Sequence, residues 1–459
     1  MLTNKKLVSD LKKEFSDVLS APEERYAYAQ DASNTRSIKN IPDAVVFVNS
    51  TEEIQKLVKI ANKHKTPVIC RGAGTNVVGA CTTEHGGIIL NFSKMNRIKE
   101  INRENMTAIV EPGVVLGHFQ KEVEKLGLFY PPDPSNLAVS TIGGSIAQAS
   151  GGAKSFKYGT TKDYILDLKV VMADGTVIKT GSNTIKNATG YNLSSLFTGS
   201  EGTLGIITEA TLKLIPKPES KKVLMAYFDT VNDAVKAVNA VIEQRIYPAT
   251  IDFMDKNAIQ TVEKFYPANL LTEKEAALII EIDGFECSMD YQENIIVKIL
   301  NTCKASAIQA SHNDEEYDRI WMARRSSMGA CARLKPNVTT DDVIVPRKNL
   351  AELVSGIRAI CEKYNLAVCM VGHVGDGSVH PQIPIDYNDE DEYIRYKKAK
   401  SEIYDLTAKL EGIISGEHGI GAEKREHIQK VISSSAIDYM RKIKKTFDPN
   451  NILNPYKIF

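Results

Sequence analysis

Two histidines seven positions apart lie in Gly372–His380, read G-H-V-G-D-G-S-V-H. Asp376-Gly377 favours a type I′ two-residue hairpin turn, which sets His373 opposite His380 on neighbouring strands, with Cβ atoms roughly 5 Å apart. Two imidazoles held that way are half of a metal site. Glu417, in Gly416-Glu417-His418-Gly419, is the candidate third ligand. Two imidazoles and a carboxylate suit a divalent Zn, Fe or Mn and leave positions open for a substrate. A polar hairpin with surface histidines is the other reading. His418, the imidazole next to Glu417, is the candidate general base. Arg324, in Trp321-Met322-Ala323-Arg324, offers a planar fork matched to a carboxylate, or to an acidic side chain in a salt bridge. Gln382 follows His380 by two and so shares its sheet face.

These groups need elements to position them. Ala44–Val48 reads as a strand, Thr51–His64 as a helix capped by Thr51, and Pro67–Cys70 as a strand. That strand runs into Arg71-Gly72-Ala73-Gly74-Thr75-Asn76, with Gly79 beyond. Glycines there let backbone N–H groups turn toward an anion; a simple tight turn is the alternative. A second loop is stiffened by Pro131-Pro132-Asp133-Pro134. It continues through Thr141, Gly143, Gly144, Ala147, Gly151 and Gly152 to Tyr158-Gly159. With so little side-chain volume, a long flat ligand can approach the backbone. A third segment, Gly199–Thr208, enters a strand from Gly202, and the backbone of Ile206 and Ile207 is placed to pair with a ring edge. None of these loops matches G-x-G-x-x-G or a Walker loop. The region 217–425 alternates strands (Val223–Phe228, Thr250–Met254, Ala277–Gly284) with helices (Val231–Gln244, Tyr291–Cys303), the pattern of an antiparallel sheet with helices on one face.

Composition narrows the function. The 459 residues exceed one core, so two or three domains are expected. Lys+Arg and Asp+Glu are 57 each, a balance that argues against a nucleic-acid partner or an anionic membrane surface held by bulk charge. The chain lacks an apolar run of roughly 18 residues and a secretory signal, so no membrane span and a cytoplasmic location are expected. Seven cysteines without C-x-x-C argue for free thiols and against an iron–sulfur centre in this chain.

The three glycine-rich segments, in this order, resemble the flavin-binding domain of the vanillyl-alcohol oxidase family. There R-G-x-G-T holds the FAD diphosphate, P-P-D-P…T-x-G-G…G-G borders the flavin, and G-T-L-G-I-I-T-E closes the site. W-x-x-R, G-H-x-G-D-G-x-x-H, S-G-E-H-G-I-G and F-D-P-N-N-I-L-N-P resemble the FAD-dependent D-2-hydroxyacid dehydrogenases, a group that includes D-lactate dehydrogenases and the glycolate oxidase catalytic subunit. The resemblance implies an α+β fold: a two-part FAD-binding domain of the vanillyl-alcohol oxidase (PCMH) type over 1–216, an antiparallel-sheet substrate cap domain over 217–425, and a tail, 426–459, returning to the first domain. It implies non-covalent FAD, because the first loop has no histidine. Asn454 matches a position near the flavin, Gln382 one that touches substrate, and Arg324 the substrate arginine. Tyr456 stands where many relatives have glycine.

Oxidation of a small D-2-hydroxy acid then needs Arg324 on the carboxylate, the metal of His373, His380 and Glu417 on the hydroxyl, His418 as base, and flavin as hydride acceptor. Thr340 stands near where D-2-hydroxyglutarate dehydrogenases carry a lysine for a second carboxylate. A second buried charge would lack its partner here, which favours D-lactate or glycolate. The overall sequence resembles lactate dehydrogenase subunits that work with electron-transfer flavoprotein subunits in electron-confurcating complexes, which implies such a partner. A glycolate dehydrogenase catalytic subunit, a non-catalytic flavin-binding subunit and a metal hydrolase are the rival readings.

Overall fold

The structure is a computed structural model and describes residues 4–33 and 40–459. Two sheets build the N-terminal half. In the first, Ala44–Phe47, Ile88–Asn91 and Val68–Arg71 run parallel, with Val18–Leu19 antiparallel at one edge. Helix Thr51–His64 buries Ile54, Leu57, Val58 and Ala61 against it, as their helical spacing requires. Ser50, not Thr51, caps this helix: its hydroxyl accepts the Glu53 N–H at 3.3 Å. The second sheet is antiparallel, in the order Ile98–Asn102, Thr107–Val110, Ile206–Lys213, Ile165–Val171, Val177–Lys179. The C-terminal tail closes back on the first sheet. Val68 N–H donates to Ile452 O at 2.7 Å, and Asn454 N–H to Val68 O at 2.9 Å. Tyr456 adopts φ +67°, the left-handed conformation that glycine takes most readily, and its ring packs edge-on against His85.

The third sheet is antiparallel along Ala307–Ala310, Ser220–Phe228, Ala276–Gly284, Thr250–Asp255, Cys369–Gly372, Ser378–Ile385 and Asn337–Thr340, and Val343–Ile344 also pairs with Ser378–Ile385. Helices cover both of its faces, not one. Leu224, Ala226 and Phe228 pack with helices Val231–Glu243, Met289–Thr302, Leu350–Lys363 and Glu390–Lys409. The alternate residues Val223, Met225 and Tyr227 pack with Lys256–Phe265 and Asp314–Arg325. The unbroken apolar run Ala276–Ile280 is the pattern of a strand buried on both faces. Among the described residues no helix is long and apolar enough to cross a membrane. The seven cysteines are free.

The histidine hairpin differs from expectation. Val371, not His373, is the register partner of His380. The turn spans Val374–Gly377 and is closed by Ser378 N–H donating to His373 O at 3.2 Å. Asp376 accepts the Ser378 N–H at 3.1 Å. Asp376-Gly377 therefore ends a four-residue turn and does not make a two-residue one. The turn is fixed from outside as well: Gly377 has φ +93°, and a Cβ there would collide with the Val345 carbonyl. A register change of two leaves every side chain on its face, so the two imidazoles still meet, diagonally, with ring centroids 5.1 Å apart.

Gly377→Ala combines left-handed strain with overpacking and is expected to destabilise the fold by about 2 to 4 kcal/mol in urea unfolding. A change below about 0.5 kcal/mol, the range of an uninvolved surface site, would contradict this turn.

Candidate active site

Three donor atoms converge beside that hairpin. His373 Nε2 and His380 Nε2 each lie 3.5 Å from Glu417 Oε1. One ligand atom from each residue falls within 4.8 Å of the others. Both rings are oriented from behind. His373 Nδ1–H donates to Asp252 Oδ1 at 2.7 Å, and His380 Nδ1–H to the Asp341 carbonyl at 3.3 Å. Both Nε2 atoms are thereby turned toward Glu417, the orientation a metal-binding imidazole requires. Burial pushes His380 down to about 4, which keeps it neutral. Burial would lower His373 too, but Asp252 and Glu417 outweigh it and hold the ring well above its ordinary value. Burial would raise Glu417, but His373 and His380 bring it below the usual carboxylate range. Two imidazoles and a carboxylate so placed fit a divalent cation of the zinc, iron or manganese class.

Asp252 also serves Arg324, whose Nε lies 2.7 Å from Asp252 Oδ2. One buried carboxylate thus joins the candidate carboxylate grip to the candidate metal ligand. Gln382 is buried on the same strand as His380. Its amide donates to Ser327 Oγ at 3.3 Å, and its Oε1 has no hydrogen-bond partner.

Glu417 and His418 sit on a loop that reaches the N-terminal half. Asp342 Oδ2 accepts the N–H groups of Gly416 at 2.6 Å, Glu417 at 2.8 Å and His418 at 3.1 Å. Burial would raise Asp342, but the charges of His418, His380 and Lys424 and these N–H donors hold it far below the usual range. The His418 ring stacks on His380 at 5.2 Å, its carbonyl accepts from Asn76 Nδ2 at 3.3 Å, and its Nδ1 is buried without a partner.

Glu417 and His418 also line an open cleft. Its walls include Arg71, Gly72, Ala73, Gly74, Thr75 and Asn76 from the first loop, Thr141, Gly143, Gly144 and Ala147 from the second, and Gly202 and Ile207 from the third. Three loops far apart in sequence thus form one cavity. A Cβ at Gly72 would strike Thr141 Oγ1, and one at Gly74 would strike Arg71, so loop meets loop through bare backbone. Asn136 Oδ1, Ser140 Oγ, Ser145 Oγ and Gln148 Oε1, all on residues of this wall, are buried without partners. Such a row of waiting polar atoms fits a ligand rich in donors and acceptors, as a flavin dinucleotide is.

The other residues expected at the cofactor lie outside the cleft wall. Gly79 has φ +74° in the turn after the first loop. Pro132 is held by Gln120, and Asp133 pairs with Lys154 at 3.2 Å. Tyr158 turns to the third sheet, donating to Asp283 at 2.8 Å. Ile206 is buried in the core behind the cleft. Asn454 braces the wall from outside, donating to Ala80 O at 2.9 Å and Glu201 O at 2.7 Å. Gly151 abuts Glu417: a Cβ there would lie 2.9 Å from Glu417 Oε2. Asp252, Asp342, Glu201 and the four unpartnered wall residues were not foreseen. An acid inside an apolar strand, Thr250-Ile251-Asp252-Phe253-Met254, was the available signal for the first.

Comparison with known proteins agrees with this architecture. The family described as FAD binding domain matches residues 42–181, and that described as FAD linked oxidases, C-terminal domain, matches 217–458. The fold and cleft are those of a flavoprotein of the vanillyl-alcohol oxidase type. The chain belongs to the FAD-linked oxidase family, a group of oxidoreductases. It is 42% identical to the glycolate oxidase subunit GlcD of Bacillus subtilis, over 95% of this chain and 92% of that one. It is 35% identical to a D-lactate dehydrogenase of Archaeoglobus fulgidus, over 90% of each. Crystalline p-cresol methylhydroxylase shares the fold, with a TM-score of 0.84 at 20% identity over 99% of this chain and 96% of that one.

Asp252→Asn is expected to weaken binding of Zn2+ or Mn2+ by about 10- to 100-fold, because the ring of His373 loses its orienting carboxylate. Calorimetry measures this, and unchanged affinity would contradict the assignment. Metal must also displace the proton that His373 holds, so apparent affinity is expected to fall as pH falls. Affinity independent of pH would contradict that competition.

Proposed function

We propose that this protein oxidises a small D-2-hydroxy acid, D-lactate in preference, to the 2-oxo acid in an FAD- and metal-dependent reaction. The observation that supports this most is that Glu417 and His418, adjacent in sequence, border both the imidazole pair and the flavin cleft. When bound, FAD supplies an acceptor for the hydride and a divalent cation held by His373, His380 and Glu417 supplies a Lewis acid for the hydroxyl.

The chain's own residues do the rest. The Arg324 guanidinium grips the substrate carboxylate, its direction set by Asp252. His418 takes the hydroxyl proton at its imidazole. Its stacking on His380 and its backbone bond to Asp342 fix the ring at the boundary of the two sites. Gln382 adds an amide on the sheet face of His380. Thr340, whose register partner is Gln382, offers no cation to a second carboxylate. Electrons then pass to an electron-transfer flavoprotein, a step that rests on the sequence resemblance. Glycolate is the second reading, favoured by the identity to the Bacillus subtilis subunit.

Anaerobic addition of substrate to the flavin-loaded protein tests the reading. D-lactate is expected to bleach the flavin fastest, glycolate more slowly, and L-lactate and D-2-hydroxyglutarate hardly at all. Bleaching by D-2-hydroxyglutarate before D-lactate would overturn the substrate assignment. His418→Ala is expected to slow bleaching by about 100- to 10,000-fold with flavin retained, the range of a lost general base. NAD reduction by the protein and D-lactate alone, with no flavoprotein added, would overturn the partner.

A further inference from the structure

Glu201 has no part in the chemistry proposed above, yet it is buried in the wall of the flavin cleft. Its Oε1 accepts the Ile420 N–H at 2.7 Å and its Oε2 the Gly421 N–H at 2.8 Å. Its own N–H donates to Ala147 O at 2.8 Å, and its carbonyl accepts from Asn454. It holds φ +52°, a left-handed conformation that a residue with a Cβ adopts at a cost. Burial pushes its carboxyl up to about 7 in spite of the two N–H donors and the charges of Lys457 and Lys424. A desolvated acid on a strained backbone persists where its hydrogen bonds hold something in place.

What it holds is the far end of the loop that carries Glu417 and His418. Asp342 grips Gly416, Glu417 and His418 from the third sheet, and Glu201 grips Ile420 and Gly421 from the flavin-binding half. Between the two grips lies only Gly419, with φ +85°. A Cβ on it would strike Gln148 and would lie 2.8 Å from Glu201 Oε1, so the loop rests on Glu201 through backbone alone. A segment this short transmits the placement of one end to the other.

We propose that Glu201 is a positioning residue that fixes Glu417 and His418 between the metal-binding imidazoles and the flavin cleft. This rests on the reading of Glu417 as a metal ligand and His418 as the base. A mere brace would affect stability and the amides it touches, without reaching Glu417.

The test uses flavin-loaded, full-length protein, with amide hydrogen exchange over 416–421 and Mn2+ alone as the metal probe. Glu201→Ala is expected to speed exchange at 416–418 as well as 420–421 by about tenfold or more, as the loss of two buried hydrogen bonds implies. It is expected to weaken Mn2+ by about tenfold, the effect of a lost orienting group on a metal ligand. Glu201→Gln keeps one acceptor and is expected to fall between; it carries the test if the alanine variant does not fold. Exchange that rises only at 420–421, or Mn2+ affinity that stays within twofold, would overturn the proposal. A wild-type protein with no affinity for Mn2+, Zn2+ or Fe2+ would instead sink the metal reading. Exchange at 416–418 then decides on Glu201 alone: unchanged exchange overturns its role, and faster exchange supports it.

Discussion

Five backbone N–H groups between Gly416 and Gly421 are satisfied by two buried carboxylates, one from each side of the molecule. This is the constraint on which the site depends. An irregular loop at a domain junction carries polar backbone that must be paired, and water is a poor partner where the chain is buried. Asp342 meets that need with charge-assisted hydrogen bonds, stronger than neutral ones, and Glu201 meets it with both of its carboxyl oxygens. The glycines at 419 and 421, with φ +85° and +54°, let consecutive N–H groups face opposite ways. A Cβ at Gly421 would collide with the Val78 carbonyl, so the loop is pressed onto the first flavin loop as well. Glu417 and His418, the proposed metal ligand and base, ride on this bridge, which belongs to neither half alone.

The second organising group is Asp252. It takes His373 on one oxygen and Arg324 on the other, so a single carboxylate in the third sheet aims a candidate metal ligand and a cation that suits a substrate carboxylate. Burial alone would neutralise it, but the charges of His373 and Arg324 keep it ionised below its usual range. The two functional groups are thus coupled by position before any substrate arrives. The contact between loop 151–158 and the third sheet works alike: Lys154 reaches Asp133 at 3.2 Å and Glu281 at 3.5 Å, while Tyr158 reaches Asp283.

Much of this was legible in the chain. The bounds of helix Thr51–His64 follow from its apolar spacing, although Ser50 and not Thr51 supplies the cap. The histidine pair and Glu417 were found because their residue types have few other uses together. The hairpin register was not, since a dipeptide's turn preference was outweighed by contacts to Val345, remote in sequence. An even register change preserves strand alternation, so the two imidazoles still face each other. Asp342 and Glu201 were hidden for another reason: an acid that binds backbone N–H groups leaves no pattern at its partner's position. Tyr158 and Pro132 were assigned by their neighbours in a glycine-rich stretch, and only the fold distinguishes residues on the cleft wall from those behind it.

Anomalous diffraction from crystals of the flavin-loaded protein grown with Mn2+ tests the central claim most directly. The account predicts one manganese peak held by His373, His380 and Glu417, with the flavin ring in the cleft on the far side of His418. A peak elsewhere, or Glu417 turned away from both imidazoles with the flavin in place, would contradict it.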